Sequence, residues 1–266
     1  MIHVDEATIA VAMRLAEAAG EVIRPYFRQR IEVADKGALK KAAFDPVTEA
    51  DRQAEIAMRS LLARDRPDDA VLGEEQGDTP GTSGWRWVLD PVDGTRAFIN
   101  GRHEWGSLIA LERDGEPALG VLDQPVLGER FLGVNGRAEV YAAGAVTALR
   151  VRPCASLAEA VFCATHPDAY FSAAEQAQLR PILRAVRMSR WGGDCYIFAI
   201  LAMGFCDVIA ESTLKRWDVA ALIPLVEGAG GVITNWQGGS CREGGQVLAS
   251  GDARVHEAAL RLIAGG

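Results

Sequence analysis

The chain has 266 residues and a formal net charge of −8, with 49% hydrophobic and 24% charged residues. That is ordinary globular composition, long enough to bury a large core as one domain or two closely packed lobes. The acidic balance argues against nucleic-acid or membrane-surface partners, whose phosphates it would repel, and no stretch approaches the roughly 20 apolar residues of a bilayer span.

The opening MIHVDEATIAVAMRLAEAAG has no basic region followed by a continuous apolar run, so no signal peptide is expected and the chain is assigned to the cytoplasm. Cys154, Cys163, Cys195, Cys206 and Cys241 contain no C-x-x-C pair, which suits reduced thiols. His3, His103, His166 and His256 are scattered, and zinc is not expected.

In chain order, apolar spacing predicts a helix over residues 5–28. A basic stretch with Lys36, Lys40 and Lys41 leads into Asp45-Pro46, and Thr48 with Asp51 reads as a capping box opening a helix to about residue 64. Residues 70–73 read as a strand, 77–84 as a turn-rich loop, and 85–90 as a buried strand broken at Pro91, with a short helix from Thr95. Strands at 107–112, 118–122, 129–134 and 146–151 suggest an antiparallel sheet. The second half reads as strand 161–164, helix 173–185, strand 186–189, helix 194–203, strand 207–211, helix 217–228, strands 232–234 and 247–250, and a closing helix from Asp252. The expected class is α/β (α+β), with residues 1–150 as one lobe and 151–266 as a second, forming one catalytic unit.

The most informative segment is W-V-L-D-P-V-D-G-T at 87–95. An apolar strand delivers Asp90 to its end and Asp93 follows within one turn, a spacing at which two carboxylates can share hard cations. Gly94 allows close backbone approach, and Thr95 opens a helix whose free N–H groups suit a phosphate. Alone, the same pattern reads equally as a turn with an aspartate cap. Gly73-Glu74-Glu75 alone reads as a solvated loop, Trp217-Asp218 as a helix cap, and D-P-V-T-E-A-D at 45–51 as a plain capping box.

Taken together, D-P-V-T-E-A-D, G-E-E, W-V-L-D-P-V-D-G-T and W-D-V-A-A…E-G-A-G-G resemble the inositol-monophosphatase-like superfamily of magnesium-dependent, lithium-sensitive phosphatases over residues 9–250. The resemblance implies a layered αβαβα sugar-phosphatase fold related to fructose-1,6-bisphosphatase, and a homodimer. It implies metal ligation by Glu74, Asp90, the Val92 carbonyl, Asp93 and Asp218, holding two or three Mg²⁺, with Mn²⁺ as a substitute. Thr95, oriented by Asp51, and Glu74 would activate water, while the Gly94 and Thr95 amides hold phosphate oxygens. A lysine upstream of the D-P-V-T block is implied near the metals, and Lys36, Lys40 and Lys41 are all candidates.

Substrate choice is expected in R-W-G-G-D-C-Y at 190–196. Where inositol phosphatases carry small uncharged residues, Asp194 and Cys195 stand here, and a carboxylate there favours a leaving group with positive charge or N–H donors. The stretch resembles the histidinol-phosphate phosphatase branch, which implies substrate contacts from Asp93, Gly193, Asp194, Cys195, Glu211 and Asp218. The expected substrate is a small phosphate ester, L-histidinol phosphate, with an inositol or related polyol phosphate as the alternative on the same fold. A non-catalytic metal-binding protein is the rival from another class. His103 stands where relatives carry a proline-containing loop and is assigned no role.

Overall fold

The structure, a computed structural model, describes residues 2–35 and 46–265; Lys36, Lys40, Lys41 and Asp45 lie outside them. Helix α1 (Glu6–Ile23) starts where the Asp5 carboxylate accepts the Thr8 amide at 2.7 Å. It stops short of residue 28 because Pro25 diverts the chain into a single 3₁₀ turn. Strands β1 (Val33–Asp35) and β2 (Pro46–Thr48) pair antiparallel. Thr48 then caps α2 (Glu49–Asp65) through the expected box, with its amide 2.9 Å from Asp51 Oδ2.

The large sheet has eight strands in the order β10-β9-β8-β7-β6-β5-β3-β4. They are β3 (Ala70–Gly73), β4 (Gly77–Thr79), β5 (Trp85–Asp93), β6 (Gly106–Arg113), β7 (Glu116–Gln124), β8 (Glu129–Val134), β9 (Arg137–Ala142) and β10 (Ala145–Ala148). Only the β3–β5 pairing is parallel.

The strand expectations are corrected in four places here. The loop at 77–84 contains β4, which forms a tight hairpin with β3. Strand β9 escaped notice because its residues are mostly half-buried and do not alternate cleanly, and β10 ends before the expected 151. Pro91 does not break β5: the register against β6 shifts between Asp90 and Asp93, so the proline sits in a bulge where no ladder N–H is needed. The Ser107 hydroxyl donates to the Pro91 carbonyl at 2.7 Å and fixes that bulge.

The second sheet has the order β12-β11-β13-β15-β14, from β11 (Val161–Ala164), β12 (Met188–Trp191), β13 (Val208–Leu214), β14 (Val232–Thr234) and β15 (Gly245–Ser250). The remaining helices are α3 (Thr95–Ile99, in the first half), α4 (Ala173–Ala185), α5 (Tyr196–Ala202), α6 (Arg216–Val219) and α7 (Leu222–Gly228) between these strands, and α8 (Ala253–Ala264) after the last of them. Strand β12 begins later than expected because the Val186 amide still closes α4 on the Ile182 carbonyl at 3.0 Å. The helix expected over 217–228 is two helices, since Pro224 has no amide to continue a ladder from α6 into α7.

Period-two alternation separates the layers. Trp87, Leu89, Ile109 and Leu111 face α1 and α2. Val88, Leu108 and Ala110 face the opposite way, onto α5, α7 and the inner face of the second sheet at Ile209, Val247 and Ala249. That sheet's outer face, with Phe162, Val208 and Leu248, packs on α4 and α8. The order is αβαβα, as the resemblance implies.

His256 is buried in the outer layer at 4% exposure. The Thr234 hydroxyl donates to the Asn235 carbonyl at 2.7 Å, so it accepts from His256 Nε2, and Ser250 Oγ faces Nδ1 at 3.2 Å. The ring is therefore held neutral, and burial pushes its pKa down to about 4. A histidine with a depressed folded pKa gives its full stability above the unfolded value near 6.5 and loses it as pH falls toward 4. The melting-temperature advantage of wild type over His256→Gln is expected to shrink across that window; a constant difference would contradict the neutral ring.

Candidate active site

The end of β5, the start of α3 and the start of α6 meet beside the second sheet. Asp90, Asp93 and Asp218 each offer an oxygen within 4.8 Å of the others. Asp90 is 1% exposed, and its Oδ1 accepts the Val92 amide across the bulge at 3.1 Å. Asp93 Oδ2 accepts the Cys195 amide at 2.8 Å, and Asp218 Oδ2 accepts the Lys215 amide at 2.7 Å. Each aspartate is thus aimed by a backbone amide.

Like charges gathered out of water raise one another's pKa. Burial, then the charges of Glu74, Asp93 and Asp218, holds Asp90 well above the carboxylate range. Burial and then Asp93 do the same to Asp218. Asp93 is pushed up to about 7 by burial and then by Asp194, and Asp51 to about 6 by burial. Such a set is costly as bare anions and favourable around a divalent cation. Among the described residues the grouped donors are carboxylate oxygens, which suit a hard divalent cation.

Glu74 follows β3, whose parallel register sets Gly73 opposite Leu89. The Glu74 amide donates to the Leu89 carbonyl at 3.1 Å, next to Asp90. Glu74 is outside the three-acid group, but its charge raises Asp90, Asp218 and Asp51. Its turn is held by Glu55, a buried α2 residue that the sequence reading missed, which accepts the Glu75 and Gln76 amides at 2.8 and 3.1 Å. A side chain at Gly73 would collide with the Glu55 carboxylate. Gly73→Ala is therefore expected to cost a few kcal/mol of stability, on the order of other overpacking changes, and to lower activity; a wild-type melting temperature would refute this packing.

Thr95 Oγ1 lies 3.0 Å from the Val92 carbonyl and 3.4 Å from Asp51 Oδ1. It has one hydrogen to donate, and either oxygen can accept that hydrogen bond. Asp51 spends Oδ2 on Thr48, leaving Oδ1 toward Thr95. Gly94 has φ +85°, and a Cβ there would lie 2.9 Å from the Glu104 carbonyl oxygen and 3.0 Å from Asp194 Cβ, so only glycine fits.

A pocket opens over these groups, walled by Asp93, Gly94, Thr95, Asp194, Cys195, Glu211 and Asp218. Asp194 stands at φ +42°, between glycines at +98° and +129° and the start of α5, which is why that helix begins later than expected. Burial, then Glu211 and Glu104, pushes Asp194 up to about 7. Glu211, 3% exposed, is raised to about 8 by burial although it accepts the Thr165 amide and hydroxyl at 2.6 and 2.9 Å. The Cys195 thiol is buried and held well above its ordinary pKa, so it is a wall and not a nucleophile.

Gly193 is the one expected substrate contact that is not on the pocket wall. It turns the chain behind Asp194, and a methyl there would overlap Ile197. Thr165, Arg96 and Tyr170 also line the pocket and were not foreseen; the Arg96 guanidinium lies 5.2 Å from the Tyr170 ring centroid. No motif marked them, because they enter from loops and helix starts set by the tertiary fold. His103 packs on Phe27, with ring centroids 5.6 Å apart, outside this wall.

A sequence model of the inositol monophosphatase family matches residues 5–265. The chain is 40% identical to the chloroplastic bifunctional phosphatase IMPL2 of Arabidopsis thaliana, over 96% of its own length and 74% of that protein's. It is 34% identical to histidinol-phosphatase of Mycobacterium tuberculosis, over 97% and 98% of the two chains. Among solved structures, an inositol monophosphatase from Zymomonas mobilis superposes with a TM-score of 0.84 at 40% identity, covering 96% of this chain and 97% of that one.

Proposed function

Because the chain belongs to the inositol monophosphatase family of phosphatases, we propose that it hydrolyses L-histidinol phosphate to L-histidinol and phosphate, with magnesium held by Glu74, Asp90, Asp93, Asp218 and the Val92 carbonyl. Residues 1–150 and 151–266 act in this reading as one catalytic unit. The observation that carries the substrate choice is the pair Asp194 and Glu211 on the pocket wall, a half-buried and a buried carboxylate beyond the three-acid group. An ammonium or imidazolium on the leaving group would neutralise them, and a polyol would not. The similarity to a histidinol-phosphatase supports the same reading.

Bound magnesium would supply charge neutralisation and an acidified water for in-line attack on phosphorus. The chain's own contribution is placement. The Gly94 and Thr95 amides receive phosphoryl oxygens beside Asp93. Thr95 Oγ1 donates its one hydrogen bond to the Val92 carbonyl or to Asp51 Oδ1, leaving its lone pairs to orient the attacking water. Asp194 and Glu211 hold the leaving group on the far side.

The test is kcat/KM for L-histidinol phosphate and inositol 1-phosphate, measured side by side with Mg²⁺. Preference for the histidinol ester is expected, and preference for the inositol ester overturns the substrate reading. No phosphate release from any small monoester, with or without Mg²⁺, would favour a non-catalytic protein.

A further inference from the structure

Asp218 sits in α6, a helix of four residues (Arg216–Val219), too short to sustain itself. Its own carboxylate accepts the Lys215 amide at 2.7 Å. A carboxylate that both caps its helix and serves a cation cannot also anchor that helix to the rest of the protein. Val219 and Trp217 pack the helix on the core, and its polar anchor is Arg216. Its Nε donates to Glu112 Oε1 at 3.0 Å and its second terminal nitrogen to Glu112 Oε2 at 2.7 Å, a fork on a fork.

Glu112 is fully buried on β6. That strand pairs directly with β5, setting Glu112 opposite Arg86 and Leu108 opposite Asp90. The ion pair therefore ties α6 to the strand beside the one carrying Asp90 and Asp93. Arg216 also reaches Glu243 at 3.2 Å, but that carboxylate is 68% exposed. Neither Glu112 nor Arg216 lines the pocket. A hydrophobic pair of equal volume would hold α6 against β6 as firmly. What it would not fix is the direction of α6, which a bidentate pair does.

We infer that Glu112 and Arg216 are positioning residues that hold Asp218 at its distance from Asp90 and Asp93, and thereby set the protein's affinity for divalent cations. The inference rests on Asp218 being a metal ligand. Calorimetric titration of the full chain with Mn²⁺ tests it. Glu112→Gln, and Arg216→Lys, which keeps the charge without the fork, are each expected to weaken Mn²⁺ binding about tenfold, as loss of a ligand's supporting partner does. At saturating Mg²⁺, kcat stays within about twofold, because the loaded site is rebuilt by the ion. Glu243→Gln, removing only the exposed arm, changes binding less than about twofold.

If Glu112→Gln does not fold, the paired change Glu112→Leu with Arg216→Met keeps the contact apolar and is expected to show the same weakening. Folded variants that melt lower yet bind Mn²⁺ like wild type would make the pair merely structural and overturn the inference. An Asp218→Asn protein that also binds like wild type would remove the metal-site reading and this inference with it. Loss of binding in Asp218→Asn, with wild-type binding in the Glu112 and Arg216 variants, would reject the strut alone.

Discussion

Asp93→Asn is expected to lower kcat/KM by about 10³-fold, since a metal site supplies several kcal/mol of transition-state stabilisation and about 1.4 kcal/mol corresponds to tenfold in rate. The substitution is close to isosteric, and its amide oxygen can still accept the Cys195 N–H that Asp93 now accepts at 2.8 Å. What it removes is charge. Without metal, the three acids repel one another inside the protein, as their raised pKa values record. The metal-free variant is therefore expected to melt above metal-free wild type, while losing the rise that Mg²⁺ gives wild type through binding. EDTA should silence wild type and Mg²⁺ restore it. A variant that is both inactive and less stable would point to a lost structural contact instead.

Asp194→Ala is expected to separate the two classes of ester. Truncating one partner of a buried charged contact costs about 2–5 kcal/mol, and Asp194, half-buried at the pocket wall, falls toward the lower end of that range. On L-histidinol phosphate the loss in kcat/KM should be about 10²-fold, following the conversion of about 1.4 kcal/mol per decade. On inositol 1-phosphate there is no cation to lose, and relief of repulsion against Glu211 and Glu104 offsets what disturbance reaches Asp93. The ratio of the two losses is the informative quantity. Equal losses on both esters would mean that Asp194 serves the loop around Gly193 rather than the substrate.

The layered fold was legible because its signals are local. Strands β3 and β11 and helix α4 carry apolar runs bounded by turn or cap residues, and Thr48 with Asp51 announces α2. The acids were legible for a different reason: Asp90 and Asp93 share one short motif, and Trp217-Asp218 adds a distant second one whose joint occurrence resembles a family. Asp90, Asp93 and Asp218 do converge.

What could not be read depends on contacts between segments far apart in the chain. Glu55 is an unremarkable helix glutamate until the β3–β4 turn places two amides on it. Glu112 and Arg216 lie far apart in sequence and carry no motif. The bulge at Pro91 misled because a proline ordinarily ends a strand, and only the partner strand β6 reveals the shifted register. Gly193 lies off the pocket wall, and its φ of +129° with no room for a methyl against Ile197 could be read only from the folded turn before Asp194.

X-ray diffraction from crystals grown with Mn²⁺, recorded to give manganese anomalous scattering, tests the central claim most directly. The expected result is an anomalous peak enclosed by the carboxylates of Asp90, Asp93 and Asp218, next to the Thr95 end of α3. Manganese bound only elsewhere, with those three carboxylates turned apart and no peak between them, would contradict it.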